Sequence, residues 1–339
     1  MAATASISPL LRGAILPTLL RLAVPNVLAL VSSVLVGIAE TYYVGRLGTI
    51  PLAAMAIVFP FAMLTQMMSN GAMGGGVSSA ISRALGAGDR SRAGTLALHA
   101  LAIGAGVGVL YSLLFVLCGP LFFRLLGGKG EVLGEAVRYG QVLFSGAMLV
   151  WLCNTLASVV RGTGNMRVPS SVVLLVAVLQ IVIGGSLGLG IAGMPRWGMT
   201  GIALGNIIAM AFGSLLLLVY LQWGQTVLDL PWQNMRFSWP MFRDILRVGA
   251  LACLSPVQSV LTAVIMTALV ARFGPQALAG YGIGQRLEFL LIPLPSASAW
   301  HRCRWWAWRL ERGRWHARAV WRGPQVACRL WRSPCSGSR

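Results

Sequence analysis

The chain is poor in acid: eight Asp and Glu stand among 339 residues, against 27 Lys and Arg. It has three His. Its six Cys form no CxxC and no Cys/His spacing of the kind that holds zinc. The Gly-rich run at residues 70–80 lacks the GK[ST] ending of a phosphate loop and lies inside an apolar stretch. No Ser/His/Asp or Cys/His set is present outside the last 44 residues, where His99 stands alone. These shortages exclude a disulfide scaffold, a zinc module, a P-loop enzyme and a triad hydrolase. No cofactor is expected.

Apolar length takes the place of charge. Hydrophobic residues are 57% and charged residues 10%, where a soluble domain has about 45–50% and about 25%. Mean hydropathy is +0.75. A spanning helix needs about 20 mostly apolar residues. Runs at 16–44, 51–80, 95–119, 133–160, 168–190, 198–222, 246–271 and 276–295 meet or approach that length. Backbone in hydrocarbon must bond to itself, so helices are expected. The first run is too long for a signal-peptide core. Single Cys in apolar runs (Cys118, Cys153, Cys253) read as packing residues.

The net charge of +19 does not read as a nucleic-acid surface. Residues 296–339 supply +9 of it, and the rest lies in short clusters between apolar runs. Ten basic residues flank one side, among them Arg83, Arg90, Arg161 and Arg243, and six flank the other, among them Arg46 and Lys129. This asymmetry predicts a cytoplasmic N-terminus. Residues 223–245 are more polar and are expected to form a cytoplasmic linker between a lobe at 1–222 and the start of another at 246–295. An internal repeat supports two lobes: Thr41, Val44, Arg46, Gly48 and Leu52 recur as Thr267, Val270, Arg272, Gly274 and Leu278 at one constant offset.

Composition breaks after Pro295. Residues 296–339 contain seven of the twelve Trp, three of the six Cys and ten Arg. A GC-rich gene read out of frame yields such a mixture. Back-translating Ser296–Ala319 and reading from the third base gives GIGVASVPMVGMAIGAGQVARA. Its AIGAGQVARA parallels ALGAGDRSRA at residues 84–93, where the repeat predicts it. A frameshift is therefore expected, and no functional residue is drawn from 296–339. The rival is a genuine basic, Trp-rich tail on a membrane surface or nucleic acid.

Several segments resemble one family, the multidrug and toxin extrusion (MATE) transporters, over roughly residues 10–295. They are LAVPNVLALVSSVLVGIAETYYVGRLG (Leu22–Gly48), SRALGAGDRSRA (Ser82–Ala93), RGTGNMRVP (Arg161–Pro169) and YGIGQRLEFLLIP (Tyr281–Pro293). The resemblance implies an all-α polytopic bundle, with a six-helix first lobe and the first two helices of a second. It also implies a central cavity alternating between the membrane faces. The activity implied is export of cationic or amphipathic compounds against protons or sodium across the inner membrane. A monomer is expected, with no nucleic-acid partner.

Glu40 lies in the last third of the first apolar run, where an ionisable side chain is costly unless it faces a cavity or a partner. The resemblance places a coupling acid there, usually Asp. Such a carboxylate exchanges a proton, or a sodium ion, for a cationic substrate. Glu288 is the second candidate; Arg286, two positions away, does not share its helix face. Asn26, Gln66, Asn154 and Gln180 are candidate cavity amides, each with interhelical bonding as the plainer role. Pro25 is a candidate hinge. Many members of the resembling family carry Asn and Asp in the fifth helix, where this chain has Gln180 and no acid, which favours proton coupling. A lipid-linked oligosaccharide flippase and a non-transporting remnant are the remaining alternatives.

Overall fold

The computed structural model describes residues 15–193, 195–224, 228 and 238–291. Residues 296–339 and most of 223–237 lie outside that set, as do the side chains of Pro25, Asn26 and Glu288. Helices cover the described residues of all eight apolar runs but for short breaks. Helix α1 is Ile15–Leu47, α2 Thr49–Gln66 and α3 Gly74–Gly86, with a π-helical segment, Met67–Met73, joining α2 to α3. Then come α4 Arg90–Leu125, α5 Gly130–Ser145, α6 Ala147–Gly162, α7 Arg167–Leu189, α8 Gly198–Trp223, α9 Trp239–Val270 and α10 Pro275–Leu291. No strand occurs among the described residues. Five of the helical stretches are long and apolar enough to cross a membrane, and six if α5 and α6, bent by 43° at their junction, count as one.

Burial follows the expectation of a lipid solvent. Helix α4 leaves Leu110, Leu117 and Leu125 about two-thirds exposed, and α9 does the same with Leu251 and Leu254. On a water-soluble chain such rows would be an aggregation liability. In a bilayer they are the solvated face, and the chain is a multi-pass membrane protein.

Small residues set how closely the helices approach. A β-carbon on Gly201 of α8 would lie 2.5 Å from the Leu187 carbonyl oxygen of α7. One on Gly76 of α3 would lie 2.9 Å from the backbone nitrogen of Gly249 in α9. On α7, Gly185 meets the Tyr43 ring of α1, again with no room for a side chain (2.8 Å). Aromatic packing fills one core cluster, where Phe115 stacks on Tyr111 and makes tilted ring contacts with Phe61 and Phe144.

The connecting motifs have local causes. Asp89 caps α4 by accepting from the Arg92 N–H at 2.8 Å. In RGTGNMRVP, Gly164 takes φ +92°, and Asn165 Oδ1 accepts from the Arg167 and Val168 N–H groups that open α7.

Helix α9 begins at Trp239, inside the segment expected to be linker. Its start is fixed on α4. The Ser238 N–H donates to His99 Nε2 at 3.0 Å, and Asp244 pairs with Arg92 at 2.5 Å. His99 Nδ1 lies 2.7 Å from the Thr95 carbonyl oxygen, which makes Nδ1 the protonated nitrogen. This buried imidazole is an anchor between two elements.

The repeat is visible in the backbone. Gly48 (φ +123°) and Gly274 (φ +99°) precede α2 and α10, and each accepts from the N–H four residues on, Leu52 and Leu278. Thr41 and Thr267 each donate to the carbonyl four residues back at 2.7 Å.

Candidate functional site

A cavity of about 330 Å³ lies among the helices, with walls from α1, α2, the π segment, α5, α6, α7, α8 and α10. Its lining is apolar for the most part, with a few convergent polar groups. That is the usual make-up of a small-molecule site.

Glu40 lines this cavity from α1. Gln180 of α7 donates its Nε2 to Glu40 Oε1 at 2.7 Å. The close approach of Tyr43 to Gly185, one turn along both helices, brings these side chains within reach. The acid expected to face a cavity or a partner has both.

Gln66 and Asn154 line the same cavity. Asn154 Nδ2 donates to Gln66 Oε1 and to Ser69 Oγ, both at 2.8 Å. They therefore combine both roles considered from sequence, cavity wall and interhelical bond. Arg161 donates to Asn70 Oδ1 at 2.7 Å, tying α6 to the π segment. Such segments often mark functional positions in long helices. Glu288 lies on α10, and Pro25 and Asn26 on α1; their side chains are outside the described residues.

Arg286 is the residue that sequence reasoning weighed only against Glu288. Its side chain reaches α1, where Nη1 donates to Thr41 Oγ1 at 2.6 Å and to the Gly37 carbonyl at 3.2 Å. Its guanidinium lies over the Phe59 ring at 4.7 Å, a cation–π distance. Arg286 also lines the cavity and is within electrostatic reach of Glu40, yet the two form no ion pair among the described residues. An arginine inside an apolar run was itself the available signal, because an intramembrane ion is a functional candidate by default. Asn206 of α8 was also missed; it lines the cavity, and its Oδ1 is buried with no partner among the described residues.

Among the described residues, no three or more His, Cys, Asp and Glu side chains are grouped so that they could hold a metal ion. Among the described residues, the one carboxylate on the cavity wall is bonded to an amide. Chemically the arrangement can hold a proton, a cation or a polar ligand group.

Residues 25–184 match the MatE family model. The chain is 28% identical over 280 residues to a FAD transporter of Shewanella oneidensis, covering 81% of this chain and 60% of that one. It is 27% identical over 278 residues to the multidrug export protein MepA of Staphylococcus saprophyticus subsp. saprophyticus, again covering 81% and 60%. Among solved structures it is similar to the outward-facing conformation of a multidrug resistance MATE family transporter of the MOP superfamily. The TM-score is 0.75 at 26% identity, covering 88% of this chain and 66% of that one. The chain spans about 60% of the length of the curated relatives it matches.

Proposed function

We propose that this chain, which belongs to the multidrug and toxin extrusion family, serves export of small amphipathic or cationic molecules across the inner membrane in exchange for protons. The observation that carries this reading is Glu40, bonded to Gln180 on the wall of a cavity within membrane-spanning helices. A proton and a cation cannot both satisfy one carboxylate. Whichever binds excludes the other, and mutual exclusion at one site is sufficient for antiport. Burial disfavours an uncompensated carboxylate, so Glu40 is protonated or paired at every stage of the cycle.

Export rather than catalysis is the role proposed. Protons are favoured over sodium because α7 supplies Gln180 where a second acid would complete an oxygen cage. Glu288 is proposed as a second coupling acid, Asn26 as a further cavity amide and Pro25 as a hinge. The ten-to-six basic asymmetry supports a cytoplasmic N-terminus, and a monomer is the proposed working unit.

The test is exchange in liposomes. The chain is reconstituted with an imposed pH gradient, and movement of tetraphenylphosphonium is followed. Glu40→Gln keeps an acceptor for Gln180 but cannot release a proton, so proton-driven exchange is lost at equal incorporation. Unchanged exchange by Glu40→Gln removes Glu40 from the mechanism.

A further inference from the structure

One ring ties the start of α9 to α4. His99 of α4 is 2% exposed. Its Nδ1 lies 2.7 Å from the Thr95 carbonyl oxygen, one turn back on its own helix. A carbonyl cannot donate, so Nδ1 carries the proton. Its Nε2 accepts the Ser238 N–H at 3.0 Å. Phe242, one turn into α9, packs edge-on against the imidazole with ring centroids 4.6 Å apart. Both ring nitrogens are therefore used in the neutral form. His99 is not part of the cavity wall.

We propose that His99 is a proton-operated latch: neutral, it holds the start of α9 against α4; protonated, it lets that end go. An imidazolium has two N–H donors and no acceptor. The second would point at the Ser238 N–H, donor against donor. A buried cation is also costly while water is excluded. Proton uptake and separation of Ser238 from His99 favour each other, and closing the latch expels the proton. Acid thus shifts the population toward the released form. Histidine is the side chain whose unperturbed charge changes between about pH 5 and 8. This inference goes beyond the transport reading. It adds a proton-sensitive position where α4 begins, one that needs neither Glu40 nor a substrate.

Of the charged groups on the elements packed around His99, Arg92 of α4 and Asp244 of α9 pair with each other across the same two helices. Arg90 of α4 and Arg243 and Arg247 of α9 are exposed. Arg83 of α3 donates to Ser79, and Arg161 of α6 donates to Asn70. Arg124, with Glu131, Glu135 and Arg138 of α5, lies toward the opposite end of α4. Tyr111 and Cys153 lie further along α4, past the contact of Gly104 with Thr155, and Cys253 lies past Gly249 in α9. Asp229 and Arg236 are outside the described residues. The Arg92–Asp244 pair is partly exposed, so salt screens it. The bond from a backbone N–H to a buried imidazole is not screened, and ionic strength separates the two contacts.

The chain has three His, and His301 and His316 both lie in the tail. Nitrogen-15 histidine labelling of the full chain in lipid nanodiscs therefore reads the ring directly by NMR, with a His301→Gln/His316→Gln variant for assignment. Hydrogen exchange read by mass spectrometry follows the latch as protection over residues 238–248. It is corrected for the intrinsic pH dependence of exchange and compared with α7 and α8. At about pH 7.5 the ring is expected in the neutral Nδ1–H form. Toward about pH 5.5 it should charge, and protection over 238–248 should fall at least about tenfold, the worth of one hydrogen bond, with α7 and α8 unchanged. The fall should persist in high salt. His99→Gln, whose side-chain oxygen accepts at every pH, should hold protection constant. A ring that stays neutral throughout, protection that holds while the ring charges, a fall abolished by salt, or the same fall in His99→Gln each overturns the proposal. If His99→Gln does not accumulate, the unaltered chain decides. Coincident midpoints for ring charging and loss of protection support the latch, and separate midpoints overturn it.

Discussion

Helices α1–α2 and α9–α10 are two renderings of one pattern, and they differ at the charged positions that line the cavity. Shared positions build the same corner: a threonine bonded back along its helix, a glycine with positive φ, and a leucine N–H returned to that glycine. At the same offset, Glu40 corresponds to Met266 and Arg286 to Pro60. Met266 is 44% exposed, whereas Glu40 lines the cavity. Pro60 is buried within α2, whereas Arg286 crosses to α1. Architecture is what the two copies have in common, and the ionic chemistry sits where they diverge. Among the described residues each copy supplies one of the two cavity charges, and these meet at a single turn of α1.

This comparison can be broken first at the glycines. Gly48 and Gly274 occupy a region of backbone space that is essentially closed to residues with a β-carbon. Gly48→Ala and Gly274→Ala should each destabilise the detergent-solubilised chain by about 1–3 kcal/mol. The test is the midpoint of thermal unfolding. If one variant melts like the parent, the two corners are not equivalent.

A smaller effect sharpens the contrast. Among the described residues Thr267 makes only its back-bond to Ala263, while Thr41 also accepts from Arg286. Thr41→Val should therefore cost about 1 kcal/mol more than Thr267→Val, the net value of one charge-assisted bond in a membrane interior. Equal melting shifts for the two valine variants would show that the Arg286 tether contributes nothing to stability.

The helical runs were legible because twenty apolar residues have few other fates in lipid. The Gly48 and Gly274 corners were legible through the repeat, which compares the chain with itself. Three features were not. The bend between α5 and α6 falls at Gly146, inside a run whose hydropathy is uninterrupted. The π segment leaves no composition mark. The start of α9 hides in polar sequence, although Pro240 in the first turn is a recognised opening signal.

The site was half legible. Glu40 stood out as a lone acid in an apolar run, and its partner Gln180 was named as a cavity amide. Arg286 was read on its own helix, where periodicity applies. Its partner Thr41 lies 245 residues away, beyond the reach of any local spacing rule.

The crossing of α3 and α9 at Gly76 and Gly249 has a mechanical reading. Two helices whose backbones touch at Gly76, with the Met73 side chain packed beside Gly249, have the contact a fulcrum requires. From Gly249 to Thr267, α9 extends roughly 25 Å. A rocking of about 10° there would sweep that far end through about 4–5 Å, close to the rise of one helical turn. A side chain at either glycine would act as a wedge, holding the lever at one setting.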